Sequence, residues 1–254
     1  MALVTYAARD RVGHLEVNRP EASNAFDLPT AQAFDVAVGQ AAADAADGTI
    51  GAVLVTGAGP RFCAGGDVQS FVAADDRPAY LEELAIALDA ALQKLAGLEV
   101  PVVACVQGAA AGAGLSLMLS CDVSVAAEST RFVTAYSGIG LTPDCGLSYL
   151  LPRAVGQTRA LELLLTGRRL TAVEALDWGL VTEVREDADV RSRAEQLARE
   201  LASGPSFALG QAKRLTRSGW ETTRAEIGRE EGRVIAQAVV HPDAEARITA
   251  FVNR

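Results

Sequence analysis

Histidine is almost missing from this chain. Only His14 and His241 occur among 254 residues. A Ser–His–Asp or Cys–His site needs an imidazole oriented by a third group. His14 falls in an N-terminal stretch that reads as a hairpin, and His241 stands before Pro242 at a helix start. Both read as surface or structural, which argues against triad chemistry. Cysteine is also sparse: Cys63, Cys105, Cys121 and Cys145 form no CxxC pair, and neither histidine is near one of them in sequence. That pattern disfavours a metal centre and reads as reduced, mostly buried thiols of a cytoplasmic protein. Positive charge is in deficit, with a net charge of −9, which argues against a nucleic-acid partner. No basic segment followed by an apolar one opens the chain, so no signal peptide is expected. Every apolar run is broken by Gly, Ser or charge well short of a membrane span. The glycine-rich segments match neither GxxxxGK[ST] nor GxGxxG with a distant acid, so a nucleotide fingerprint is lacking.

What the chain does have is small residues in two particular turns. Phe62-Cys63-Ala64-Gly65-Gly66-Asp67 and Gly108-Ala109-Ala110-Ala111-Gly112-Ala113-Gly114 each follow a strand-like run and precede a helix-like run. Such a turn leaves backbone N–H groups free at a helix start. Two of them can aim two donors at one oxygen, forming an oxyanion hole. Gly and Ala side chains let a substrate carbonyl come close to the backbone.

Around these turns the pattern predicts a hairpin within 2–18, a helix over Leu28–Ala46, a strand over Ile50–Thr56 and a polar loop over Ala73–Pro78. A helix over Ala79–Leu98, a strand over Val102–Val106, a helix over Leu115–Leu119 and a strand over Val123–Ala126 follow. From Arg159 onward the pattern is nearly all helical. The repeated order of strand, Gly-rich turn and helix predicts an α/β fold of stacked ββα or βαβ units with helices covering a sheet. We divide it into an α/β core over 1–190 and a helical segment over 191–254 suited to oligomer contacts.

With histidine chemistry disfavoured, carboxylates and backbone donors remain. Asp144 lies in Gly138-Ile139-Gly140-Leu141-Thr142-Pro143-Asp144-Cys145-Gly146, a small, apolar loop without a second charge. Two readings are open: a general base or proton shuttle, or a turn Asp that caps the next helix. For Asp67, at a helix start after Gly65-Gly66, capping is the favoured reading. Ser116 and Tyr136 fit either a site or a core.

In order and spacing, several stretches together resemble the crotonase superfamily of enoyl-CoA hydratases and isomerases. They are Asn18-Arg19-Pro20 with Asn24-Ala25, Val53–Gly57 leading into Phe62–Asp67, Pro101–Gly108, and Gly112–Gly114 with Cys121-Asp122. Gly140–Pro143, Leu151–Gly156, Leu164–Gly167 and Ala175 through Gly179-Leu180-Val181 complete the set. The resemblance implies a crotonase-like ββα superhelix with a helical C-terminal region, assembled as a homotrimer or a dimer of trimers. It implies an acyl-CoA thioester as substrate and no separate cofactor, because coenzyme A arrives with the substrate. By motif position it places the two oxyanion donors on Ala64 and Ala113. It assigns substrate contacts to Asn24, Ala25, Gly65, Gly66, Asp67 and Gly112, with the 24–25 and 64–67 segments holding the CoA moiety through their backbone.

The chain also departs from that pattern. Where hydratases of the family carry two glutamates, this sequence has Ser116 and Tyr136. Neither is a base near neutrality, since a tyrosine titrates at about 10. A positioned acid–base group contributes roughly 10²–10⁴-fold. Asp144 instead falls where the epoxyphenylacetyl-CoA isomerase branch carries a proton-shuttling Asp. A chlorobenzoyl-CoA dehalogenase branch has an Asp there too, as nucleophile, with a Trp where this chain has Tyr136. The 80–98 helix lacks the His that the dehalogenase uses to activate water. The expectation is therefore an acyl-CoA isomerase with Asp144 as shuttle and Tyr136 and Ser116 lining the acyl pocket or holding a water. A hydratase and a non-catalytic acyl-CoA-binding protein are the alternatives.

Overall fold

The computed structural model describes residues 2–253. Its chain begins with an antiparallel hairpin, β1 (Val4–Arg9) and β2 (Val12–Val17), closed by Asp10-Arg11 with φ of 49° and 62°. Positive φ at both turn residues matches the twist of the paired strands. Four further strands add in parallel to give a six-stranded sheet in the order β1-β2-β3-β4-β6-β9. These are β3 (Ala52–Gly57), β4 (Val102–Val106), β6 (Val123–Ala127) and β9 (Glu183–Arg185).

The central strands are near-continuous apolar runs because both faces of the sheet are covered. Val53 and Val55 of β3 and Val102, Ala104 and Val106 of β4 join the large core beneath α1 (Leu28–Ala46) and α3 (Arg77–Ala96). Their neighbours Leu54, Val103 and Cys105 face the opposite way. They meet Val190, Ala194, Ala198 and Ala202 of α8 (Val190–Ala202) in a second core. The division drawn at 190/191 thus falls in the first turn of a helix that lies flat on the sheet. Residues 190–202 belong to the packed body.

A second, three-stranded sheet positions the site. It consists of β5 (Ala109–Ala111), β7 (Arg131–Val133) and β8 (Leu170–Thr171), and single bridges extend its pairing through Cys63↔Ala110 and Phe26↔Gly66. The chain repeatedly runs from the large sheet through this small layer into a helix. β3 leads through residues 62–66 to α2 (Val68–Ala73), β4 through β5 to α4 (Ala113–Ser120), and β6 through β7 to α5 (Leu147–Val155). This is the ββα superhelix. Its small strands are two or three residues long, too short for alternation to reveal them in sequence.

Beyond α6 (Gln157–Thr166) and α7 (Ala172–Asp177), the last three helices are α9 (Ser206–Ser218), α10 (Arg224–Ala238) and α11 (Pro242–Val252). α9 is pinned to the body through Asp122. That carboxylate accepts the Val102 N–H at 2.8 Å and pairs with Lys213 at 2.9 Å and Arg217 at 2.8 Å. A Cβ on Gly210 would lie 2.1 Å from the Glu99 carbonyl, so only glycine lets α9 approach this closely. The polar loop expected over Ala73–Pro78 is confined to 74–76: α2 ends at Ala73 and α3 starts at Arg77, capped by Asp76. Among the described residues no helix is long and apolar enough to cross a membrane. All four cysteines are free and buried.

Candidate active site

The first small-residue turn is held by backbone bonds to both neighbouring layers. The Cys63 N–H donates to the Ala109 carbonyl at 3.1 Å, and the Ala111 N–H to the Cys63 carbonyl at 3.0 Å. On its other side the Ala64 N–H donates to the Ser23 carbonyl at 3.0 Å, the Phe26 N–H to the Gly65 carbonyl at 2.7 Å, and the Asp67 N–H to the Phe26 carbonyl at 2.8 Å. Gly65 turns at φ 99°, and a Cβ there would press on the Ala111 carbonyl at 2.8 Å while lying 3.4 Å from the Ala113 nitrogen. The two turns therefore sit against each other with no room for a side chain between them.

This pairing corrects one expectation. Ala64 lines the cavity, but its N–H is already bonded to Ser23 and is not a free donor. The Gly65 N–H is directed at Cys63 Sγ, 3.4 Å away, so the N–H left without any acceptor in this turn, among the described residues, is that of Gly66, where a Cβ would meet only open space. In the second turn Gly112 (φ 52°) sends its N–H to the Val133 carbonyl at 3.1 Å. Ala113 follows as the first residue of α4, where a helix leaves its N–H unpaired. The free donors facing the cavity are therefore on Gly66 and Ala113.

Between the turns and α3 lies a cavity of ≈ 90 Å³ lined by Ala64, Gly65, Gly66, Gly112, Ala113, Tyr136 and Asp144 together with apolar side chains. Asp144 is the only carboxylate lining it among the described residues. The Tyr136 hydroxyl donates to Asp144 Oδ1 at 2.7 Å. Helix α5 is entered through Gly146, and no side chain caps it. The Asp144 carboxylate is therefore no helix cap; only its backbone carbonyl contacts the helix start, accepting the Leu147 N–H at 3.0 Å. Burial first, then the Asp144 charge and the hydrogen bond to it, push the Tyr136 phenol far above its ordinary range. Tyr136 is therefore a neutral donor at any working pH. Burial and the same carboxylate raise the Cys145 thiol well above its usual value, so it is no thiolate nucleophile.

Four of the residues expected to bind substrate do not line this cavity. Asn24 is fully buried and bonded on all sides. Its Oδ1 accepts the Arg19 N–H at 2.9 Å, and its Nδ2 donates to the Ala58 and Arg61 carbonyls at 2.8 and 2.7 Å. Ala25 donates to the Ala22 carbonyl at 3.1 Å and accepts Arg19 Nη1 at 2.6 Å. Asp67 caps α2 through the Gln69 N–H at 3.1 Å and pairs with Arg19 at 3.0 Å. Ser116, one turn into α4, is buried outside the cavity lining, its Oγ without a hydrogen-bond partner. These residues shape the loops and core behind the site. Neither histidine lines the cavity.

The cavity wall that α3 contributes was not identified from sequence. Leu81, Leu84, Ala85 and Leu88 present one face of α3 to the cavity, with Phe71, Ile139 and Leu141 around them. Their spacing was visible as helical periodicity, but a stripe facing a cavity has the same spacing as one facing a core.

The model for the family described as enoyl-CoA hydratase/isomerase matches residues 8–254. The chain belongs to this family. It is 37% identical to 1,2-epoxyphenylacetyl-CoA isomerase of Escherichia coli (strain K12) across 94% of this chain and 91% of that protein. It is 35% identical to 4-chlorobenzoyl coenzyme A dehalogenase-1 of Arthrobacter sp, across 82% of this chain and 76% of the relative. Its structure superposes on the crystal structure of an enoyl-CoA hydratase from Polaromonas sp. JS666 with a TM-score of 0.93, at 32% identity and covering 98% of this chain and 96% of that one. The fold is thus that of the crotonase superfamily. Its members include isomerases and hydratases, so the assignment within the family rests on the site.

Proposed function

We propose that this protein is an acyl-CoA isomerase that moves a double bond from position 3 to position 2 of a CoA thioester. One observation carries the reading: among the described residues Asp144 is the single carboxylate lining the cavity, and it shares that cavity with the free amides of Gly66 and Ala113. The thioester oxygen would accept both N–H groups. As Asp144 takes a proton from C2, negative charge spreads onto that oxygen and through C4, where the fixed dipoles stabilise it. The C3=C4 pair shifts to C2=C3, and Asp144 returns the proton to C4. One carboxyl serves as base and then acid, so no second one is required.

Hydration makes a different demand, because water must be activated and a proton delivered to the enolate. The two positions where family hydratases carry glutamate are Ser116, outside the cavity, and Tyr136, held protonated. The CoA moiety is proposed to be held along the Ala64–Asp67 turn, arriving with the substrate and without a separate cofactor. Self-association is proposed through the last helices, which expose Ile235, Val239, Val240, Phe251 and Val252.

Incubation with a 3-enoyl-CoA in D₂O tests the assignment. Conversion to the 2-enoyl thioester with proton exchange, both lost in Asp144→Asn, is the expected result. Rapid water addition to a 2-enoyl-CoA in place of isomerisation would make the protein a hydratase. Thioester binding without exchange would make it a binding protein.

A further inference from the structure

We propose that Tyr136 is a positioning residue that holds Oδ1 of Asp144, so that Oδ2 is the one oxygen that carries the migrating proton. The inference deepens the isomerase reading and rests on it.

Asp144 has little else to fix its carboxylate. It lies in the irregular stretch before α5, followed by Cys145 at φ 49° and Gly146 at φ 73°. Among the described residues, the hydrogen bond from Tyr136 is the only one its carboxylate makes within ordinary donor–acceptor limits. The neighbouring Cys145 thiol is directed at the Ala85 carbonyl, 3.9 Å away.

Tyr136, by contrast, is well anchored. Its backbone carbonyl accepts the N–H groups of Ile139 at 3.1 Å and Leu141 at 3.0 Å, and its side chain is buried. The phenol end lies over the second turn: a Cβ on Gly112 would sit 3.8 Å from Tyr136 Cζ. Tyr136 therefore ties a carboxylate in an irregular stretch to the turn that presents the Ala113 amide.

The chemistry gives this tie a purpose. A proton taken from C2 must be released at C4 of the same substrate. A free carboxyl rotates about its Cβ–Cγ bond, exchanging its oxygens and presenting the acquired proton to water. A phenol donating to one oxygen makes the two unequal. It cannot itself take the proton, because it is already protonated. A charge-assisted O–H···O⁻ bond is among the stronger hydrogen bonds in proteins, and misplacing a catalytic group by about 1 Å can cost about 10²-fold in rate.

The experiment is Tyr136→Phe, which keeps the ring and removes the hydroxyl, assayed with a 3-enoyl-CoA in D₂O beside wild type and Asp144→Asn. Three quantities are read: kcat, KM and the fraction of product that carries deuterium at C4. We expect kcat to fall roughly 10- to 100-fold, KM to stay within about twofold, and deuterium at C4 to rise. The label fraction is counted per turnover, so it is independent of how much enzyme is folded. Unchanged kcat and label fraction in Tyr136→Phe, with Asp144→Asn inactive, would overturn the positioning role and leave the isomerase reading intact. A wild type that neither isomerises nor exchanges would overturn both.

Discussion

The Ala64 N–H donates to the Ser23 carbonyl at 3.0 Å, and that one bond decides which amides face the cavity. It ties the first small-residue turn to the loop before α1 and leaves the Gly66 N–H as that turn's free donor. Ala113, opposite, owes its free N–H to being the first residue of α4.

Asp144→Asn keeps the size of the side chain and its bond from Tyr136 but removes the base. Isomerisation of a 3-enoyl-CoA should fall by about 10²–10⁴-fold, with CoA-ester affinity unchanged by calorimetry. An undiminished rate would move the proton transfer to another group.

The two glycines of the first turn should respond differently. Gly65→Ala places a methyl 2.8 Å from the Ala111 carbonyl at φ 99°, so it should lower the melting temperature and the activity together. Gly66→Ala meets no neighbour and keeps the N–H, so its melting temperature should match wild type. Thermal unfolding of both variants checks this, and equal destabilisation would contradict the geometry.

Asn24→Ala should be costly although Asn24 does not line the cavity. It strands the Arg19 N–H and the Ala58 and Arg61 carbonyls that the side chain now satisfies. The expected loss is about 2–3 kcal/mol in urea unfolding. Because the loop before α1 also holds Ala64, activity should fall even at temperatures where the variant remains folded.

Stability should depend on pH through His14. Burial first, then the positive charge of Arg9, with Arg191 and Arg199 adding to it, lower its pKa in the folded chain, and Glu195 opposes them. The unfolded state, with its histidine near about 6.5, then binds the proton more readily than the folded state. This contribution is therefore intact above the unfolded pKa and lost as pH falls from there towards the lower, folded value. The urea midpoint should drop between pH 7.5 and 5.5, and His14→Asn should shrink that drop. An equal drop in the variant would assign it to other groups.

Much of the fold could be read along the chain. The hairpin, α1, α3 and the run of C-terminal helices each carry a pattern of period 2 or 3.6 over five or more residues, and β3 and β4 stand out as continuous apolar runs. α11 (Pro242–Val252) falls within the stretch after Arg159 expected to be helical. The small sheet could not be read this way. Its strands are held by partners from distant parts of the chain, such as Ala110 with Phe132 and Phe132 with Leu170. From their neighbours, capping was the favoured reading for Asp67 and one of two open readings for Asp144. The structure separates them, because Asp67 bonds the Gln69 N–H and Asp144 bonds the Tyr136 hydroxyl.

The sequence by itself determined the superfamily, the two small-residue turns and the absence of glutamate where family hydratases carry it. These are matters of residue type and order, and they hold however the chain folds. Only the tertiary structure decided that Gly66 rather than Ala64 has the free amide, that Asn24 and Ser116 lie behind the site, and that Tyr136 grips Asp144. A backbone N–H carries no sign in sequence of whether it is spent. Its acceptor, the Ser23 carbonyl, lies 41 residues earlier in the chain, and folding alone brings the two together.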